Sequence, residues 1–126
     1  MRAILQIKRS ILKVNNSIYK IGNITKVSDK YEIRDDYSAE GFVLSSTLLY
    51  PSCETNGHKH TTQDEVFIFY GKGEMYLRYP DEGQGEIEAV FSVKNGSTIT
   101  VLREVFHRVK NTTKNENLLY LRVMSK

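Results

Sequence analysis

The chain has 126 residues, with 18 Lys and Arg against 15 Asp and Glu for a formal net charge of +3. That length fits one domain able to bury most of its apolar surface, and it leaves no room for a second core. Cys53 is the only cysteine, which excludes an intramolecular disulfide and any cysteine-based metal knuckle.

The N-terminal stretch M-R-A-I-L-Q-I-K-R-S holds a short apolar run interrupted by Gln6 and Lys8. It is too brief for a signal-peptide core or a membrane span, so a cytoplasmic protein with no membrane partner is expected. The Asn-x-Ser/Thr triplets at Asn15, Asn23, Asn95 and Asn111 then read as turn chemistry. Residues 1–30 carry seven Lys and Arg against Asp29 alone. These cations are scattered among strand-like residues rather than clustered with exposed aromatics. They read as solvated faces or edge-strand protection, and no nucleic-acid partner is expected.

Along the chain, β-branched and aromatic runs recur between turn signals and almost nothing repeats with a helical period. The pattern predicts an all-β domain with strands over residues 3–8, 17–21, 31–34, 41–50, 65–70, 74–79, 87–93, 98–102, 107–110 and 118–123. A G-K-G turn at 71–73 is expected to reverse the chain into M-Y-L-R-Y. Residues 80–85 read as a hairpin loop, 94–96 as a tight turn and 111–117 as a polar loop. So many short strands must hide their edges, which points to a sandwich or a closed double-sheet barrel of the jelly-roll kind. Residues 1–126 are read as a single domain, with N-terminal strands over 1–40 and a metal-binding core over 41–126. The apolar Ala3-Ile4-Leu5 segment suits an edge strand exchanged in a homodimer.

The stretch from Gly57 to Met75 carries the chemistry. His58 and His60 alternate across Lys59, so on a strand both imidazoles project to one side and Lys59 to the other. Glu65 follows at the head of an apolar run, and His107 opens a distant one. A lone histidine in a strand is usually just hydrogen-bonded. Here, however, all three histidines of the chain fall into one pattern. Three imidazoles and a carboxylate suit one divalent transition metal (Mn, Fe, Ni, Co or Zn), whereas Ca and Mg prefer oxygen ligands. Phe67, Phe69, Ile99 and Val101 are expected to alternate between lumen and outer packing, drying the pocket. Tyr50, Tyr70, Tyr76 and Tyr79 could donate hydrogen bonds to a bound ligand, with strand packing the plainer reading of each.

These residues resemble the cupin superfamily. His58-Lys59-His60, four residues and Glu65 match its first motif, with Gly71 and Gly73 straddling that motif's last glycine. Gly96, ten residues, His107, three residues and Asn111 match the spacing of the second, with Leu102 where proline is usual and Glu104 where glycine is usual. The stretch S-T-L-L-Y-P, then T-N-G-H-K-H, then E-V-F-I-F-Y-G-K-G-E-M looks like the archaeal cupin-type glucose-6-phosphate isomerases.

That resemblance implies a cupin jelly-roll (double-stranded β-helix) fold, with His58, His60, Glu65 and His107 holding the metal. It implies a sugar or sugar phosphate as substrate and aldose–ketose isomerisation as the reaction, Glu65 being fourth ligand or acid–base catalyst. It places Thr47, Thr55 and Gly57 on the phosphate side, and Tyr50 and Tyr76 join them as substrate-binding candidates. Two other readings use the same ligands: a cupin dioxygenase acting on a small acid or diketone, and a non-catalytic metal- or sugar-binding module.

Overall fold

The computed structural model describes residues 11–14, 17–20, 23–83 and 85–126. Among them the chain forms strands and no helix: β1 (Ile11–Val14), β2 (Ser17–Lys20), β3 (Asn23–Val27), β4 (Tyr31–Ser38), β5 (Phe42–Leu49), β6 (Glu65–Tyr70), β7 (Gly73–Asp81), β8 (Gly85–Val93), β9 (Thr98–Val101), β10 (Phe106–Asn111) and β11 (Leu118–Ser125). The strand expected at 3–8 lies outside the described residues. The expected strands from 31 onward all form, several of them longer than predicted. β1 and β3 were not anticipated. β3 has no residue buried on either face, so it carries no alternation to read and is held by its ladder with β4.

Every pairing is antiparallel. A six-stranded sheet runs β3-β4-β5-β11-β6-β9, a three-stranded sheet runs β10-β7-β8, and β1 pairs with β2 as a hairpin. The two larger sheets enclose the core, and the period of two along each strand decides what enters it. Ser45, Thr47 and Leu49 of β5 turn inward, as do Glu65, Phe67 and Phe69 of β6 and Leu118 and Tyr120 of β11. From the smaller sheet come Met75 and Leu77 of β7 and His107, Val109 and Asn111 of β10. Burying each of the large apolar side chains contributes about 1.5–3 kcal/mol.

Phe67, Phe69 and Val101 all face inward and Ile99 packs half-buried against them. The expectation that these four would alternate between lumen and outer packing is therefore corrected. Each pair is spaced by two residues, which puts both members on one face.

Gly71-Lys72-Gly73 also departs from expectation. It does not close a hairpin, because β6 pairs with β11 and β9 whereas β7 pairs with β10 and β8. The segment carries the chain from one sheet to the other. Gly71 takes φ 129°, and at Gly73 a Cβ would collide with the Lys110 carbonyl and come within 2.6 Å of Leu118 Cδ2. Close approach between sheets requires these glycines as strictly as a hairpin would. The 80–85 loop is a hairpin as expected, with pairing continuing to Asp81 and Gly85. The 94–96 turn is closed by Ser97 N donating to Lys94 O at 2.9 Å.

Candidate metal centre

Glu65 is the first residue of β6, in register between Val101 of β9 and Met124 of β11, and is 1% exposed. His107 is the second residue of β10, opposite Leu77 of β7, and is 3% exposed. The loop segment 53–58 runs antiparallel along the other side of β10. Asn111 N donates to Cys53 O at 2.9 Å and Thr55 N to Val109 O at 2.9 Å, and His58 and His107 exchange backbone hydrogen bonds at 3.0 and 3.1 Å. This run brings a residue near the middle of the sequence beside one near its end.

Gly57 makes the approach possible. It adopts φ +86°, and a Cβ there would lie 2.6 Å from Phe106 Cζ.

The expectation of a strand through His58 and His60 is revised: His58 bridges His107 beside β10, and beyond that bridge the segment is irregular. The imidazoles converge all the same, because the His60 carbonyl is tied to the turn before β10 by Glu104 N at 2.6 Å. That turn keeps its shape without the glycine usual in the resembled motif: Glu104 itself takes φ 71°, and Val105 N donates to Leu102 O at 3.2 Å.

The side-chain atoms of His58, His60, Glu65 and His107 able to ligate lie within 4.8 Å of one another. Nε2 of His58 and His60 are 3.1 Å apart. Glu65 Oε1 is 2.8 Å from His60 Nε2 and 3.1 Å from His107 Nε2. His107 Nδ1 lies 3.0 Å from the Val105 carbonyl. Donation there leaves Nε2 of a neutral ring with a lone pair turned toward Glu65.

Despite these short approaches, both Glu65 oxygens and His107 Nε2 are buried with no hydrogen-bond partner. Each such orphan costs on the order of 1–3 kcal/mol, and converging lone pairs add repulsion. A shared cation removes both penalties, so the donor set fits a divalent metal.

Protonation favours the same state. Burial, followed by the neighbouring His107 and His60 rings, lowers the His58 pKa to about 4, so the ring is neutral and able to ligate at pH 7. Burial works against the Glu65 carboxylate, but the His107 ring and the Arg122 guanidinium outweigh it and hold its pKa below the ordinary value.

A cavity of about 280 Å³ opens beside the cluster and is lined by Thr47, Thr55, Gly57, His58 and His107, among others. Thr55 has a second duty, its hydroxyl accepting from Val109 N at 3.0 Å. Tyr50 and Tyr76, expected beside the substrate, do not line this cavity. Tyr76 alternates with the inward Met75 and Leu77, so it points outward against Phe106 and under Arg108. Tyr50 follows β5 and offers its carbonyl to Asn111 Nδ2 at 3.1 Å.

The residues that do complete the wall include Tyr31, Tyr120 and Arg122, which the sequence did not mark as site residues, and Lys26, expected on a solvated face or guarding an edge strand. The signal for Arg122 was present. It lies in phase with Leu118 and Tyr120, at a position where a strand facing a core carries an apolar side chain. Burial raises the Tyr120 hydroxyl to about 12, so it stays protonated and able to donate.

No protein-family model matches the chain, and no curated protein matches it by sequence. Solved structures do. The capsular polysaccharide assembling protein CapF of Staphylococcus aureus superposes with TM-score 0.69 at 15% identity over 80% of this chain. This chain spans only 27% of the length of CapF. KdgF from Halomonas sp. superposes with TM-score 0.62 at 12% identity, covering 80% of this chain and 86% of that one. A cupin domain from Bordetella pertussis gives TM-score 0.58 at 19% identity, covering 80% and 98%. At such identities the likeness is one of fold. The chain has the cupin jelly-roll fold, and the finer resemblance to the archaeal isomerases rests on its sequence motifs.

Proposed function

We propose that the chain is a metal-dependent enzyme of the aldose–ketose isomerase type, acting on a sugar or sugar phosphate. The supporting observation is the cluster itself: four ligating atoms within 4.8 Å, with both oxygens of Glu65 and Nε2 of His107 buried without hydrogen-bond partners, next to a cavity of about 280 Å³. His58, His60, Glu65 and His107 would hold one divalent transition metal. When bound, such an ion supplies Lewis acidity to adjacent oxygens.

The chain's own groups do the rest. Glu65, kept ionised by His107 and Arg122, would accept a proton at Oε2, the oxygen nearer to Arg122 than to the imidazoles. Tyr120, kept protonated by burial and hydrogen-bonded to Thr47, offers a hydroxyl donor on the wall, and Phe67 excludes water from the floor. Thr55 and Gly57 line the same cavity and remain substrate-side candidates. The fold likeness to a capsular polysaccharide assembling protein is in keeping with a carbohydrate substrate.

Elemental analysis of the purified protein, followed by a panel of aldose and ketose phosphates, tests the proposal. Interconversion of one pair in the presence of redox-silent Zn supports isomerisation. Oxygen consumption with Fe and no interconversion would replace it with the dioxygenase reading.

A further inference from the structure

A sheet that faces a core is expected to present apolar side chains, because unpaired polar groups there are destabilising. Around the cavity the six-stranded sheet breaks that rule. Thr47 stands in register between Ile33 and Tyr120, and Ser45 stands opposite Arg122. Lys26 continues the Thr47 row on the far side of Ile33.

The charge of this wall has one sign. Lys26, Arg108 and Arg122 line the cavity, and no Asp or Glu among the described residues does. Arg108 is engaged on the outside, over the Tyr76 ring at 4.3 Å and 3.9 Å from Glu54. Arg122 is oriented inward, with its side chain only 18% exposed. Its Nε donates to Ser45 Oγ at 3.2 Å, while Nη1 stands 3.6 Å from Glu65 Oε2, beyond hydrogen-bond distance. The guanidinium fork therefore keeps donors for another acceptor, and its planar geometry matches a carboxylate or phosphate. Lys26 reaches over the neighbouring wall residue Tyr31, with Nζ 5.7 Å from the ring centroid.

We propose that the cavity binds an anionic small molecule, a carboxylate or a phosphate monoester, with Arg122 and Lys26 holding the anionic group and the remainder directed toward the imidazoles. This deepens the reading above by fixing the charge of the substrate and the residues that select it. Arg122 also balances Glu65, and that structural duty must be separated from ligand recognition. Lys26 provides the separation, since no contact links it to the metal cluster.

The test is calorimetric titration of the purified chain, at low salt, with inorganic phosphate, gluconate and the neutral sugar alcohol sorbitol. Metal content is measured on the same samples, so that loss of the ion and loss of the anion are distinct results. Phosphate or gluconate is expected to bind at least tenfold more tightly than sorbitol. Lys26→Gln and Arg122→Gln should each weaken that anion by about tenfold or more, with the metal content of Lys26→Gln unchanged. Preference for gluconate assigns a carboxylate, and preference for phosphate assigns a phosphate ester. Sorbitol binding as tightly as the anions, neither anion binding, or wild-type anion affinity in both variants would overturn the proposal.

Discussion

Asn111 and Glu65 are both polar, both essentially inaccessible to solvent, and both on strands facing the same interior, yet their surroundings are opposite. Asn111 Nδ2 donates to the carbonyls of Leu49, Tyr50 and Glu116, and its Oδ1 accepts from Thr113 N and Oγ1. Glu65 Oε1 faces only the His60 and His107 rings, at 2.8 and 3.1 Å, and Oε2 has nothing closer than Arg122 at 3.6 Å. One end of the barrel is closed by a satisfied network. The other holds unsatisfied lone pairs beside a cavity with a cationic wall. Buried polar groups are normally paired, so the Asn111 end reads as structure and the Glu65 end as a site for a ligand.

The comparison breaks most visibly at Asn111. Asn111→Asp replaces the amide that serves three carbonyls with a buried charge repelled by them, and chemical denaturation should show a loss on the order of 3–5 kcal/mol. A loss near zero would mean that the network does not close that end.

The pH response sharpens the contrast, because Asn111 carries no ionisable group whereas His58 and Glu65 do. His58 is neutral in the fold down to about pH 4 but becomes protonated in the unfolded chain below its ordinary 6.5. The unfolded state therefore takes up more protons, and stability is lost as pH falls from 6.5 toward 4. Glu65, with its pKa held low by His107 and Arg122, adds stability above the ordinary carboxylate value, and this too is lost in acid. Metal-free protein should melt at a lower temperature at pH 5 than at pH 7, and His58→Ala should flatten that difference. The effect is reduced by the exposure of His58 to water.

The smallest expected effect concerns the turn that carries His107. Glu104 sits at φ 71°, a conformation costing roughly 1–2 kcal/mol for a side-chain-bearing residue. Glu104→Gly should leave stability within about 1 kcal/mol of wild type, because relief of strain offsets the added freedom of the unfolded chain. Glu104→Val should be the less stable of the two by about 1–2 kcal/mol in thermal denaturation.

Sequence carried the clustered donor residues clearly, because His58, His60, Glu65 and His107 exhaust the chain's histidines and stand at spacings that alternation on a strand can interpret. It carried β6 to the residue, since the run from Glu65 to Tyr70 is bounded and alternates cleanly. Partnership was less legible. Gly71 and Gly73 are demanded equally by a hairpin and by a crossing between sheets, and nothing local separates the two. β3, exposed on both faces, had no period to detect. Arg122 was readable in principle, as a charge in phase with core residues. Its meaning depended on Ser45, Lys26 and Glu65 being its neighbours, which only the ladder order of the sheet establishes. Tyr50 and Tyr76 show the converse: aromatic content near a motif says nothing of direction until the phase of the strand is known.

The most direct measurement is metal stoichiometry after equilibration with a divalent transition metal and removal of excess, on wild type and on the His58→Ala/His107→Ala double variant. The account predicts one equivalent per chain in the wild type and none in a variant that remains folded. Equal content in the two proteins, or no uptake by wild type, would contradict it.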